Sequence, residues 1–89
     1  MKTISRTTRF DKDVKKMKKR GKSFEIFKQV IEKLASVRTL EPKFKDHKLV
    51  GNYSGTRECH IEPDWLLIYI TSEDELILVR TGSHADLFG

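Results

Sequence analysis

The chain has 89 residues, 37% of them hydrophobic, one cysteine and a formal net charge of +5. A chain of this length supports one small core and reads as a single domain over residues 1–89. It has no apolar run of the ~20 residues that a membrane-spanning helix needs. Met1 to Arg6 lack the apolar centre of a signal peptide, and one cysteine makes no internal disulfide, so a soluble cytoplasmic protein with no membrane partner is expected.

The charge is unevenly spread. Residues 1–48 hold 16 Lys and Arg against 6 Asp and Glu, whereas residues 49–89 hold 2 against 7. A basic first half points to a polyanion, most simply nucleic acid. The same residues also fit a solvated, lysine-rich helix face.

In chain order, Lys2 to Arg6 predicts a short strand around Ile4. Thr8 has the chemistry of a helix N-cap, with Asp11 three residues on. Phe10, Val14 and Met17 then follow at helical spacing and form one core-facing stripe. Asp11 and Asp13 near the start and Lys18, Lys19 and Arg20 near the end suit the helix dipole, and Gly21 stops the helix. Ser23 is read as the cap of a second helix, whose stripe is Phe24, Phe27, Val30, Ile31 and Leu34. The short joint predicts an antiparallel helical hairpin.

Arg38 to Thr56 reads as one long irregular loop, punctuated by Pro42, Gly51 and Gly55 and pinned to the core by Phe44, Leu49 and Val50. A loop this long in so small a domain is often functional, and His47 rides on it. Thr56 to Ile61 alternates as a strand does, with Cys59 and Ile61 on one face and Glu58 and His60 on the other. Cys59 is expected to be a buried small residue and not a nucleophile. Pro63-Asp64 makes a turn. Trp65 to Ile70 is apolar throughout, like a strand covered on both faces. Residues 71–74 form a hairpin loop, Glu75 to Thr81 a further strand, and Ser83 to Gly89 a short tail. The order β-α-α-β-β-β, with two helices packed on one face of a mainly antiparallel sheet, is an α+β fold. The opposite face, where Glu58 and His60 point, should lack helices and is the expected place for a site.

His47, His60 and His84 lie beside turns or strand ends. A histidine pair can act as general base and general acid near neutral pH. Asp64 could accept a hydrogen bond from an imidazole or take a proton. Arg80 could neutralise charge on a phosphoryl oxygen. Beside a basic surface, such a set suits RNA cleavage through the 2′-hydroxyl, with no metal or other cofactor. The rival is a metal shell of His47, His60, Asp64 and His84, but no HExxH or CxxC pattern is present.

Three stretches carry a further signal. Lys45-Asp46-His47, Arg57-Glu58-Cys59-His60-Ile61-Glu62-Pro63-Asp64-Trp65-Leu66-Leu67-Ile68-Tyr69 and Arg80-Thr81-Gly82-Ser83-His84-Ala85-Asp86-Leu87-Phe88 together resemble the YafQ branch of the RelE-type toxins. The resemblance runs from Phe10-Asp11-Lys12-Asp13 to the end of the chain. It implies a type II toxin–antitoxin toxin with the compact, microbial-ribonuclease-like fold of RelE proteins. Such toxins enter the ribosomal A site and cut mRNA there, so mRNA, the ribosome with its RNA, and a cognate antitoxin are the implied partners. The family's motif positions fall on His47, His60, Asp64, His84 and Phe88. The histidines and Asp64 would supply acid–base groups, and Phe88 would position the mRNA by stacking on a base. Glu58 stands where the family has an acidic residue, with Lys45 and Arg80 as supporting candidates. The family's Asp-His-Pro-Leu reads Asp46-His47-Lys48-Leu49 here, so this loop should be less constrained. The lysine-rich helices, Lys15, Lys16, Lys18 and Lys19 above all, would grip ribosomal RNA, and a partly disordered antitoxin would wrap that face. The alternative is a toxin-like protein that binds RNA or the ribosome without cutting and is neutralised by its antitoxin.

Overall fold

The structure, a computed structural model, describes residues 1–36 and 38–89. Strand β1 (Thr3–Arg6) is followed by helices α1 (Thr8–Lys19) and α2 (Glu25–Ala35). Then come β2 (His47–Lys48), β3 (Arg57–Glu62), β4 (Trp65–Thr71), β5 (Glu75–Gly82) and α3 (His84–Phe88). The five strands form one sheet in the order β1-β5-β4-β3-β2, parallel at β1–β5 and antiparallel elsewhere. The α+β architecture matches the sequence expectation, with one strand and one helix more.

The period-two pattern of β4 divides the core. Trp65, Leu67 and Tyr69 join Phe10 and Met17 of α1 and Phe27, Val30 and Leu34 of α2 in the main cluster. Leu66 and Ile68 face the other way and pack with Leu87, beside Leu49, Tyr53 and Val79. Burying each such side chain contributes roughly 1.5–3 kcal/mol, so the two-sided strand is the backbone of the fold. Inside the main layer, Trp65 Nε1 donates to Thr81 Oγ1 at 2.9 Å, and that hydroxyl donates to the Leu66 carbonyl at 2.6 Å.

The sheet face opposite α1 and α2 is therefore not bare. Residues 83–89, expected as a tail, hold α3, which buries Leu87 on that face. Ser83 caps the helix by accepting from the Asp86 N–H, while the Asp86 side chain accepts from the Ser83 N–H. The long loop likewise contains the edge strand β2, paired to β3, and two short 3₁₀ turns at Pro42–Phe44 and Gly51–Tyr53. Phe44 is buried and Leu49 packs on the second cluster, but Val50 is 87% exposed and anchors nothing.

The helix starts also differ. Thr7, not Thr8, caps α1, accepting from the Phe10 N–H at 3.0 Å. Thr7 is still extended, and its own N–H donates to the Leu78 carbonyl, beside the last β1–β5 pair of Arg6 with Leu78. Ser23 does not cap α2; Phe24 holds that position without a side-chain bond. The Phe24 ring packs edge-on against Trp65 and Phe27, each at 5.0 Å, and this packing decides where the helix begins. Asp13 lies beyond the first turn of α1 and is buried, so it does not serve the helix dipole. Among the described residues no helix is long and apolar enough to cross a membrane.

Candidate active site

The site grows from the β2–β3 pairing, which sets His47 opposite Glu58. Glu58 is only 5% exposed, and an unpartnered carboxylate that deep would be costly. Two imidazoles meet it. His47 Nε2 lies 3.1 Å and His60 Nε2 3.4 Å from the same oxygen, Oε2. On its other side, His47 Nδ1 lies 2.7 Å from the Lys45 carbonyl. A carbonyl can only accept, so Nδ1 carries the hydrogen of that bond and Nε2 is the nitrogen turned to Glu58. His47 and His60 thus face one buried carboxylate oxygen from two strands.

The loop that carries His47 is held by polar bonds where the resemblance led us to expect slackness. Asp46 accepts from the Tyr69 hydroxyl at 2.6 Å and from Arg57 Nε at 3.1 Å. Lys45 takes the left-handed conformation, φ +49°, that turns its carbonyl onto His47. The Leu49 N–H then donates to the Thr56 carbonyl.

His84 arrives from the far end of the chain. As the first residue of α3 it has a free backbone N–H, which donates to Asp64 Oδ1 at 2.9 Å. Its Nδ1 meets the same oxygen at 2.6 Å. Asp64 sits in the β3–β4 turn, and these two bonds, the backbone one foremost, lower its pKa. The rings then run in a row. His47 and His60 are 6.3 Å apart by centroid, His60 and His84 5.7 Å, and His84 and Phe88 6.4 Å. Phe88 is 49% exposed, and its ring is edge-to-face with Tyr53 at 5.5 Å. Beside the histidines lies a cavity of about 520 Å³, lined by Lys43, Lys45, His60, Pro63 and His84 among others. A second, more apolar cavity of about 500 Å³, between β1 and the two long helices, is lined by no histidine. His60 and His84 line the first.

The residues picked out from the sequence are thus brought together at His47, Glu58, His60, Asp64, His84 and Phe88, with Lys45 at the edge. Arg80 shares this sheet face, since Glu58, Ile68 and Arg80 stand in register across β3, β4 and β5. It is not a free cation, however. Asp13 takes its Nε at 2.6 Å and Nη2 at 3.2 Å, and Nη1 donates to the Tyr53 hydroxyl at 3.3 Å. Of the α1 lysines, Lys15 and Lys19 are exposed, Lys18 lies over the Phe24 ring, and Lys16 pairs with Asp86 at 3.0 Å. Cys59 is fully buried in the main core and its thiol is pushed up to about 12 by burial, so it is inert at neutral pH.

Sequence reasoning missed Tyr53, Asp13 and the Asp86–Arg20 pair. No local signal marks them, because each acts on a residue more than twenty positions away. The donor set also bears on the rival metal shell. Both Nε2 atoms meet the one Glu58 oxygen directly, and among the described residues no group of three or more His, Cys, Asp or Glu side chains is arranged to hold a metal ion.

Comparison with known proteins gives the family and the fold. The family described as "Bacterial toxin of type II toxin-antitoxin system, YafQ" matches residues 2–89. The mRNA interferase toxin YafQ of Escherichia coli K12 is 40% identical over 87 residues, covering 97% of this chain and 95% of that protein. The E. coli DinJ-YafQ complex superposes with a TM-score of 0.91 at 39% identity, covering both chains fully. A metal-bound toxin from Helicobacter pylori gives 0.91 at 44% identity, covering 99% of this chain and all of the other.

Proposed function

Because the chain belongs to the YafQ family of bacterial type II toxin–antitoxin toxins, we propose that it is an mRNA interferase that cuts ribosome-bound mRNA by metal-independent acid–base chemistry. The observation that carries this reading is the row of three imidazoles, two tied to Glu58 and one to Asp64. One imidazole of the Glu58 group removes the 2′-hydroxyl proton. The freed oxygen attacks the adjacent phosphorus, and the imidazole across the row gives a proton to the departing 5′-oxygen. Asp64 orients His84 by accepting at Nδ1, which directs Nε2 of that ring to the substrate. Lys45 and its neighbour Lys43 supply positive charge beside the phosphate, a role that the engaged Arg80 leaves open. Phe88 offers a half-exposed ring for a base to stack on. Lys15 and Lys19 on α1 give the ribosomal RNA a basic face to dock on, and an antitoxin is the physiological partner, as DinJ is for its YafQ.

The test is cleavage of mRNA on the ribosome by the wild type and by His84→Ala, each with and without prior EDTA treatment of the protein. The ribosome keeps its own magnesium throughout. Cutting that survives EDTA and disappears in the variant is the expected result. Cutting lost to EDTA treatment would replace the acid–base reading with a metal-dependent one. Intact ribosome binding with no cutting by the wild type would leave a toxin-like binding protein.

A further inference from the structure

We propose that Tyr53 is a positioning residue of the cleavage site, acting through Phe88; this rests on the ribonuclease reading above. Phe88 ends a five-residue helix, too short to hold its own geometry. Leu87, the residue before it, is the helix's buried apolar anchor, and it points into the second cluster, leaving the Phe88 ring in solvent.

Two rings stand against that of Phe88. His84 lies in the same helix and moves with it, at 6.4 Å. Tyr53 comes from the Gly51–Tyr53 turn and meets Phe88 edge-to-face, at 5.5 Å and 84° between planes. Among the described residues it is the aromatic ring that meets Phe88 from outside the helix, and the geometry is the one that aromatic quadrupoles favour. Tyr53 is itself fixed at its polar end. Its hydroxyl donates to the Leu87 carbonyl at 3.4 Å, a group that the end of a helix leaves without an internal partner. The same oxygen accepts from Arg80 Nη1 at 3.3 Å. Arg80 is locked in turn by two bonds to Asp13 of α1. Asp13 also accepts from the Thr81 N–H, so the far end of this chain of contacts is the sheet itself. The succession Asp13, Arg80, Tyr53, Phe88 thus runs from the core to the ring proposed to stack on the message. A residue that only filled the second cluster would need the apolar part of Tyr53 and nothing placed against Phe88.

The experiment compares wild type, Tyr53→Phe, Tyr53→Leu, Phe88→Ala and the double variant Tyr53→Leu/Phe88→Ala in cutting mRNA on the ribosome. Thermal melting of each variant controls for folding. Tyr53→Leu is expected to lower the rate at saturating protein by about tenfold or more, with the half-saturating concentration unchanged. Tyr53→Phe keeps the ring edge but loses the bonds to Leu87 and Arg80, so its rate falls between those of the wild type and the leucine variant. In the Phe88→Ala background the leucine change costs nothing further, because the contact it breaks is already gone. The Phe88 ring resonances shift in Tyr53→Leu while those of Trp65 stay, a readout that needs no cutting. Should Tyr53→Leu not fold, Tyr53→Met, equally apolar and more adaptable, takes its place. Wild-type cutting together with full activity of the leucine variant, losses that add in the double variant, or equal loss in Tyr53→Phe would each overturn the proposal alone. A wild type that does not cut would sink the ribonuclease reading and this inference with it.

Discussion

Asp64 holds His84 twice through one carboxylate oxygen, by the backbone N–H at 2.9 Å and by Nδ1 at 2.6 Å. One bond starts the helix and the other orients the ring, so the β3–β4 turn decides both where α3 begins and which way its imidazole faces. The pair is solvent-accessible, with side chains 52% and 68% exposed for His84 and Asp64. Its value therefore lies in direction more than in stability.

Asp64→Ala should separate these two effects. Cutting of mRNA on the ribosome is expected to fall about 10- to 100-fold, as for a misplaced catalytic group. Stability should change little, as for a surface substitution. Asp64→Asn keeps an acceptor and should lie between wild type and alanine. Rate measurements paired with urea unfolding check this, and a wild-type rate in Asp64→Ala would remove Asp64 from the site.

Asp86 carries the other clamp on α3. Arg20 binds it through both terminal nitrogens at 2.6 and 2.9 Å, Lys16 adds a third contact, and the side chain is 12% exposed. The Arg20 bonds foremost hold its carboxyl far below the usual range. A carboxylate whose pKa is depressed by folding contributes stability above its unfolded value, about 3.9, and loses it as pH falls toward the folded value. Asp86→Asn is therefore expected to cost about 1–2 kcal/mol at neutral pH. The gap between variant and wild type should narrow steadily below about pH 4. Urea midpoints across pH test this, and a gap that stays constant into acid would show that the charge is not what binds α3 to α1. The same helix leaves no room at Gly82, where an added Cβ would meet Asp86 at 3.0 Å. Gly82→Ala should accordingly loosen α3 as Asp86→Asn does, and at all pH values.

The basic face of α1 divides into cations that are free to dock and one that is not. Lys15 and Lys19 are exposed, whereas Lys16 is tied to Asp86. Lys15→Glu with Lys19→Glu should weaken ribosome binding steeply and flatten its salt dependence, with melting unchanged. Lys16→Glu should in addition lower the melting temperature, because it sets two carboxylates against each other at α3. Binding measured against salt, beside a melt, distinguishes the two, and unchanged binding in the Lys15/Lys19 variant would move the docking surface elsewhere.

Much of this was readable in the residues themselves. The alternation of Cys59 and Ile61 against Glu58 and His60 and the stripe of Phe27, Val30 and Leu34 each state a period that only one kind of element satisfies, and the short apolar run from Trp65, bounded by turn residues, reads as a buried strand by its length. The motif resemblance picked out His47, His60, Asp64, His84 and Phe88 before any contact between them was visible. Strand β2 and helix α3 were not readable, because elements of two and five residues are too short to show a period. Their existence depends on partners, Glu58 across the sheet for one and Asp64, Arg20 and the second cluster for the other. The same holds for Arg80. By charge and position it read as a free cation for a phosphate, and Asp13, 67 residues away, engages it instead. Periodicity and cap chemistry are local and reside in the chain itself. Which carboxylate meets which cation, and which imidazoles face one carboxylate, follows from strand register and from how α3 folds back, and those are settled only when the whole core packs.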